Sequence, residues 1–203
     1  LAQIFDQILL KGIRAGQVPA RSSTARQWFR EKAKDAGKVT ESQILRGDKD
    51  RLKNRTAVGS MYFFTYDAKH KKTMPYFDRF PLIFPVGPAV GGFYGLNMHY
   101  LPLPLRAQLM DALYEVTNNN KYDETTKLKI SYGILKSAEN MNMFKPTFKR
   151  YLSSHVRSRF VKVHPSEWDI ALWLNSDQFE GASRASVWAD SKKIIAGKKP
   201  KRR

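Results

Sequence analysis

The sequence predicts an α+β fold in which helices surround a small antiparallel β-meander, an open barrel closed by a late strand being one form of it. Three observations lead there. Runs rich in aromatic residues lie close together at 61–66, 79–84 and 92–101, separated by turn-forming stretches. Segments with apolar residues at helical spacing flank that block on both sides. Hydrophobic residues make up 42% of the 203, enough for a packed core in one domain, or in one domain with a helical appendage.

Leu1, Ile4, Phe5, Ile8, Leu9 and Ile13 recur at helical spacing and Gly16 supplies a stop, so an amphipathic helix opens the chain. Its apolar stripe is expected to dock on the protein's own core, a neighbouring protein being the alternative. Ser22 and Ser23 offer a cap for a second helix running to Gly37. Trp28, Phe29, Ala33 and Ala36 share one side of it, with Arg26, Arg30, Lys32 and Lys34 around the rest. Thr40 and Gln43 have capping-box spacing for a short third helix carrying Ile44 and Leu45. Residues 46–58 are dense in charge and read as an exposed connector or a frayed helix. The RGD triplet at 46–48 is common by chance in such loops and carries no weight.

The character changes at Gly59. The run Met61–Tyr66, a polar turn at 67–72, the run Arg79–Phe84, a Gly/Pro-rich turn at 85–92 and the run Gly92–Leu101 make a three-stranded meander. Pro81 and Pro85 place the middle strand at an edge or at bulges.

Pro102 and Pro104 end the meander. A helix follows through Leu105, Leu109, Ala112 and Leu113, and another from Thr125 to Asn140 with Leu128, Tyr132 and Leu135 on one face. Phe144 and Pro146 introduce a further expected helix through Phe148, Tyr151, Leu152 and Val156. The alternating stretch Arg159–Val163 is the candidate closing strand. Pro165–Leu174 restarts as a helix or a mixed segment, and a last helix spans Phe179 to Ile195 with Trp188 and Ile194 buried. These elements divide the chain into a basic helical region (1–58), a core domain (59–196, with a helical insertion at 103–158) and a basic flexible tail (197–203).

Charge is the outlier of the composition. Thirty-six Lys and Arg face eighteen Asp and Glu, a formal net charge of +18. Self-repulsion of that size costs stability unless a polyanion or salt offsets it, which points to nucleic acid. The placement is uneven: 13 basic residues against 6 acidic in 1–58, 5 against 4 in 59–117, 10 against 3 in 118–164 and 8 against 5 in 165–203. A near-neutral scaffold thus carries basic flanks.

Several classes are excluded or disfavoured. The chain contains no cysteine, which rules out disulfides, thiolate metal sites and a cysteine nucleophile. No apolar run reaches the roughly 18 residues of a spanning helix. Gln3, Asp6 and Gln7 interrupt the N-terminal stretch, so it is not a signal-peptide core. The chain opens on Leu1 rather than Met, which points to residues before it, and a soluble intracellular protein is expected. A membrane partner is not expected, because no basic segment carries the large apolar face of an interfacial anchor.

Catalysis finds little support: P-loop, GxGxxG, HExxH and GxSxG are all missing from the sequence. His70, His99, His155 and His164 show no ligand spacing. His99 reads as a satisfied structural histidine, and His164, before Pro165, as a cap. Asp67 and Asp78 flank the first hairpin and could hold Mg²⁺ in a nuclease. The further acids such a site needs, Glu115, Glu124 and Glu167, lie in or near helices, and Asp beside a turn is more often a turn-former. No cofactor or metal is expected.

The basic segments say more. Lys145, Lys149, Arg150, Arg157 and Arg159 interleave with Phe148, Tyr151 and Phe160, and spacings such as 145/149 and 150/157 fall near one face of the expected helix, where they would track a phosphate backbone. A solvated outer face is the alternative. Lys198, Lys199, Lys201, Arg202 and Arg203 form an electrostatic arm suited to phosphates of any sequence, and the same run resembles a nuclear localisation signal.

The blocks Met61–Asp67, Thr73–Phe84, Gly92–Arg106, Ser154–Phe160 and Glu167–Leu172 resemble the DNA end protector, or head completion, proteins of T-even-like tailed bacteriophages. The resemblance covers roughly residues 59 to 190. It implies a non-enzymatic virion protein, in the head or neck, that binds the ends of packaged linear double-stranded DNA without sequence specificity. Such a protein shields those ends from host exonuclease after injection, helps complete the head, and has phage head, portal or neck proteins as neighbours. It would pass through the host cytoplasm during assembly and after injection. Aromatic stacking on the terminal base pair is a further expectation, with Trp28 or Tyr76 as candidates. The alternative is a purely structural neck, portal-vertex or baseplate protein.

Overall fold

The computed structural model describes residues 4–18, 22–46, 49–117 and 119–197. Helix α1 (Ile4–Arg14) buries Phe5 and Ile8, and α2 (Ser23–Asp35) starts where Ser22 caps it, its side chain accepting from the Ala25 amide at 3.1 Å. The capping box of Thr40 and Gln43 opens α3 (Glu41–Leu45). The charged connector then makes a single 3₁₀ turn at Lys49–Arg51 and a two-residue strand, β1 (Leu52–Lys53).

The meander forms. Strands β2 (Met61–Phe63), β4 (Leu82–Ala89) and β5 (Gly92–Asn97) pair in succession, all antiparallel. The prolines of β4 do not make it an edge. It lies between β2 and β5, and its register shifts between Pro85 and Gly87, a bulge where a missing proline N–H does least harm. Between β2 and β4 lies β3 (Phe77–Asp78), which pairs separately with β8 (Phe179–Glu180).

After β5 and a 3₁₀ turn at Met98–Tyr100, α4 (Leu103–Thr117) and α5 (Glu124–Asn140) form a helical crossover. The expected helix through Phe148 and Val156 is instead a strand, β6 (Phe148–Leu152), followed by a 3₁₀ turn at Ser153–His155. Phe148, Tyr151 and Leu152 mimic helical spacing, but the open edge of β5 pairs with the segment from Leu96↔Phe148 to Gly92↔Leu152. Gly92 allows this approach: a Cβ there would lie 1.8 Å from the Tyr151 carbonyl oxygen.

The late strand, β7 (Phe160–Val163), corrects the barrel expectation. It inserts between β1 and β2, extending the sheet to six strands in the order β1-β7-β2-β4-β5-β6 and leaving it open. Helix α6 (Trp168–Trp173) is buried along its whole length. The last helix starts later than its periodicity suggests: Phe179 belongs to β8, and α7 (Arg184–Ile195) buries Val187 and Ser191, with Trp188 and Ile194 half-buried.

One face of the sheet, through Phe63, Leu82, Phe84, Leu96, Val161 and Val163, packs under the helices. The other carries an aromatic layer of its own. The Phe64 ring lies 5.1–6.2 Å from those of Phe160, Tyr151, Phe93 and Tyr66. Several charges expected on the surface are used inside the fold. Arg26 and Arg30 on α2 both reach Asp169 on α6 at 2.7 Å, and both also bond Asp111 on α4. Arg51 pairs with Glu167.

Candidate nucleic-acid interface

Pairing of β1 with β7 brings the charged connector at 54–58 beside residues 156–160. Between them, over the hairpin of β4 and β5, lies an open groove of about 770 Å³. Arg55, Arg157 and Arg159 line it together with the hydroxyls of Thr56, Ser153 and Ser158, and among the described residues no carboxylate does. The half-buried Phe93 and Val156 and the buried Phe160 supply its apolar floor. A second hollow of similar size, about 850 Å³, differs in the property that matters. There Lys38, Arg46, Arg79 and Arg184 meet Glu41, Asp177 and Glu180, and the charges largely cancel.

The groove arginines are held in different ways. Arg159 is fixed by the fold, Nε donating to Asn54 Oδ1 at 3.1 Å and Nη2 to the Leu52 carbonyl at 2.7 Å. The loop carrying Arg157 is anchored from behind: its amide donates to the Thr65 carbonyl (2.8 Å), and Ser158 Oγ accepts from the Thr65 amide (2.8 Å). The Arg157 side chain is exposed, with Asp67 3.5 Å away. Arg55 is exposed and has no ion pair among the described residues. Such guanidiniums present several donors outward in a fixed fork, suited to phosphate oxygens.

Sequence reasoning placed Lys145, Lys149, Arg150, Arg157 and Arg159 on a helix and strand. The strand geometry of β6 separates them. Lys145 is exposed before β6, and Arg157 lies beyond its other end. Arg150 is exposed and donates to the Val90 carbonyl at 2.6 Å. Lys149 projects beneath the Tyr100 ring, its Nζ 4.0 Å from the centroid. Arg157 and Arg159 are the two that share the groove. Lys198, Lys199, Lys201, Arg202 and Arg203 lie outside the described residues. Arg55 was missed, because its place depends on the two-residue β1 strand, which no periodicity announces.

The acids of the nuclease reading are committed elsewhere. Asp67 bonds Lys71 at 2.7 Å, and this bond, with Arg157 nearby, holds its carboxyl below the usual range. Asp78 is buried. Burial would raise its pKa, but His99, Asn97 and the Phe80 amide outweigh that and keep it an anion. His99 is the satisfied structural histidine expected, although it sits in a 3₁₀ turn rather than a strand. Its Nδ1 lies 2.7 Å from Asp78 and its Nε2 3.0 Å from Ser176 Oγ. With Asp78 anionic, Nδ1–H donates to it, which is the order of a nucleophile–base–orienter chain. Ser176 and His99 are both 0% exposed, however, so no substrate reaches the hydroxyl. The chain acts as a buried polar network. Among the described residues no three His, Asp or Glu side chains converge to hold a metal ion. His164 caps the turn after it, as its position before Pro165 suggested.

Of the stacking candidates, Trp28 is half-buried edge-to-face against Phe29 at 5.0 Å, and Tyr76 leans on Tyr100 at 6.1 Å. No described helix is long and apolar enough to cross a membrane. No curated protein and no solved structure matches the chain. A family model described as Phage T4 terminal DNA protecting protein matches residues 4–196.

Proposed function

The chain belongs to the phage terminal DNA protecting protein family, and from that premise we propose that it binds the ends of linear duplex DNA through their phosphates, reading no sequence and catalysing no reaction on them. The observation that carries this is the groove lined by Arg55, Arg157 and Arg159 without a carboxylate among the described residues. Phosphate contacts fix position and supply affinity without sequence information, which suits an end of arbitrary sequence. The exposed Lys145 and Arg150, and the five basic residues of the tail at 198–203, add to the overall attraction for phosphates. In this role the protein occupies the head or neck of the particle, beside head, portal or neck proteins, and travels with the DNA into the host cytoplasm. Bound there, it blocks exonuclease access and helps complete the head.

Binding to blunt linear duplex, compared with closed circular duplex of the same length over a salt series, tests the proposal. Arg55→Gln with Arg157→Gln is the informative variant, because Arg55 has no ion pair among the described residues and Arg157 bonds the backbone only within its own turn, at the Ser154 carbonyl (3.3 Å), whereas Arg159 ties β7 to the connector. Each lost phosphate contact should flatten the slope of log K against log salt by about 0.9, so the double variant should lose nearly two units. An unchanged slope would remove the groove from the interface. Equal binding of circles and linear DNA by the unaltered protein would leave a purely structural neck, portal-vertex or baseplate role.

A further inference from the structure

On the same face of the sheet, between the turn at 67–74 and strand β6, lies a smaller recess of about 260 Å³. Its walls are aromatic: Tyr66, Phe77, Tyr100 and Tyr151. Lys149 enters it from β6, and its ammonium lies 4.0 Å from the centroid of the Tyr100 ring. Among the described residues Lys149 has no ion pair. Asp78 borders the recess, but its carboxylate oxygens are taken by His99 (2.7 Å), Asn97 (3.0 Å) and the Phe80 and Gln178 amides. Three more groups able to carry positive charge, Lys69, His70 and Arg150, stand around the opening.

An ammonium held against aromatic walls without a counter-ion is costly, and an unbranched apolar side chain would fill the same place at less cost. Burial pulls the Lys149 pKa down to about 8. A bound anion would offset that cost. The shape selects which anion. An internal phosphodiester carries a sugar on both sides and can lie along the open groove, but a narrow recess admits a group attached at one side only. A terminal phosphomonoester meets that condition, carries up to two negative charges, and brings a terminal sugar and base that aromatic walls can contact.

We propose that the recess beneath Tyr100 is a receptor for the terminal phosphomonoester of a DNA end, with the Lys149 ammonium as its central donor and Lys69, His70 and Arg150 at the rim. This rests on the end-binding reading above and supplies what the groove lacks, a reason to prefer an end to the middle of a duplex. The groove holds the flanking backbone and the recess holds the terminus.

The test uses the full chain and four forms of one duplex: linear with 5′-phosphate, linear with 3′-phosphate, linear with hydroxyl ends, and closed circular. One charge-assisted contact predicts that a phosphorylated end binds about tenfold more tightly than hydroxyl ends. The 5′ and 3′ arms show which strand terminus enters, and a preference for either supports the proposal. Lys149→Met should abolish the discrimination, and Lys149→Arg should keep part of it. In the unaltered protein the discrimination should weaken as pH rises past about 8, where the unoccupied recess loses its ammonium. Tyr100 and Tyr151, which also line the recess, stay neutral there, because burial raises the pKa of both. Equal affinity for phosphorylated and hydroxyl ends, or discrimination that survives Lys149→Met, would overturn the receptor while leaving end binding intact. Equal affinity for all four forms would overturn end binding itself.

Discussion

Lys149, half-buried, and Arg106, fully buried, are two desolvated cations with opposite solutions. Arg106 is 1% exposed and donates to three carbonyls, those of Leu101 (2.7 Å), Leu172 (2.6 Å) and His99 (3.3 Å). Burial lowers its pKa to about 10, yet the hydrogen bonds tie α4 to α6 and to the turn after β5. Arg106→Met removes those donors and leaves buried carbonyls unpaired, so chemical denaturation should show a loss of about 3 kcal/mol or more. Lys149 has no such compensation. Its folded pKa lies near 8 against 10.5 for the ordinary side chain. Below about pH 8 both folded and unfolded states hold the proton, and the cost of burying it is fully present. Between about 8 and 10.5 the folded state has released the proton while the unfolded state retains it, so stability rises with pH and the cost disappears. Lys149→Met should therefore melt higher than the unaltered protein at pH 7, with the gap closing by pH 10.5. A gap independent of pH would show that the ammonium is not desolvated.

At the scale of elements, local chemistry made some parts legible and tertiary pairing decided others. The Ser22 cap, the Thr40/Gln43 box and the β2-β4-β5 meander are written in adjacent residues, and they formed. Strand β6 was misread as a helix because Phe148, Tyr151 and Leu152 satisfy a helical period, while the edge of β5 that captures them lies more than fifty residues away in sequence. The same error spread the candidate cations along a helix face that does not exist. Arg26 and Arg30 looked like surface charge because Asp111 and Asp169, their partners, are remote in the chain. Capture of β6 depends on Gly92, where any Cβ collides with the backbone of Tyr151. Gly92→Ala should destabilise the protein by about 2–3 kcal/mol, read from the denaturation midpoint, and should raise hydrogen exchange first in β5 and β6. An exchange pattern unchanged in those strands would show that their pairing does not need the glycine.

For the whole molecule, the net charge of +18 points to a polyanion partner. The charge alone did not locate the contact, since part of it closes internal ion pairs and part is cancelled near Asp177 and Glu180. Arg55, Arg157 and Arg159 share one groove and Lys149 enters a recess, both on the aromatic side of the open sheet. Binding of the unaltered protein to blunt linear duplex, in competition with closed circular duplex of equal length from low to high salt, tests the central claim most directly. The account predicts a preference for linear DNA at every salt concentration, with affinity falling steeply as salt rises. Equal affinity for the two forms would contradict it.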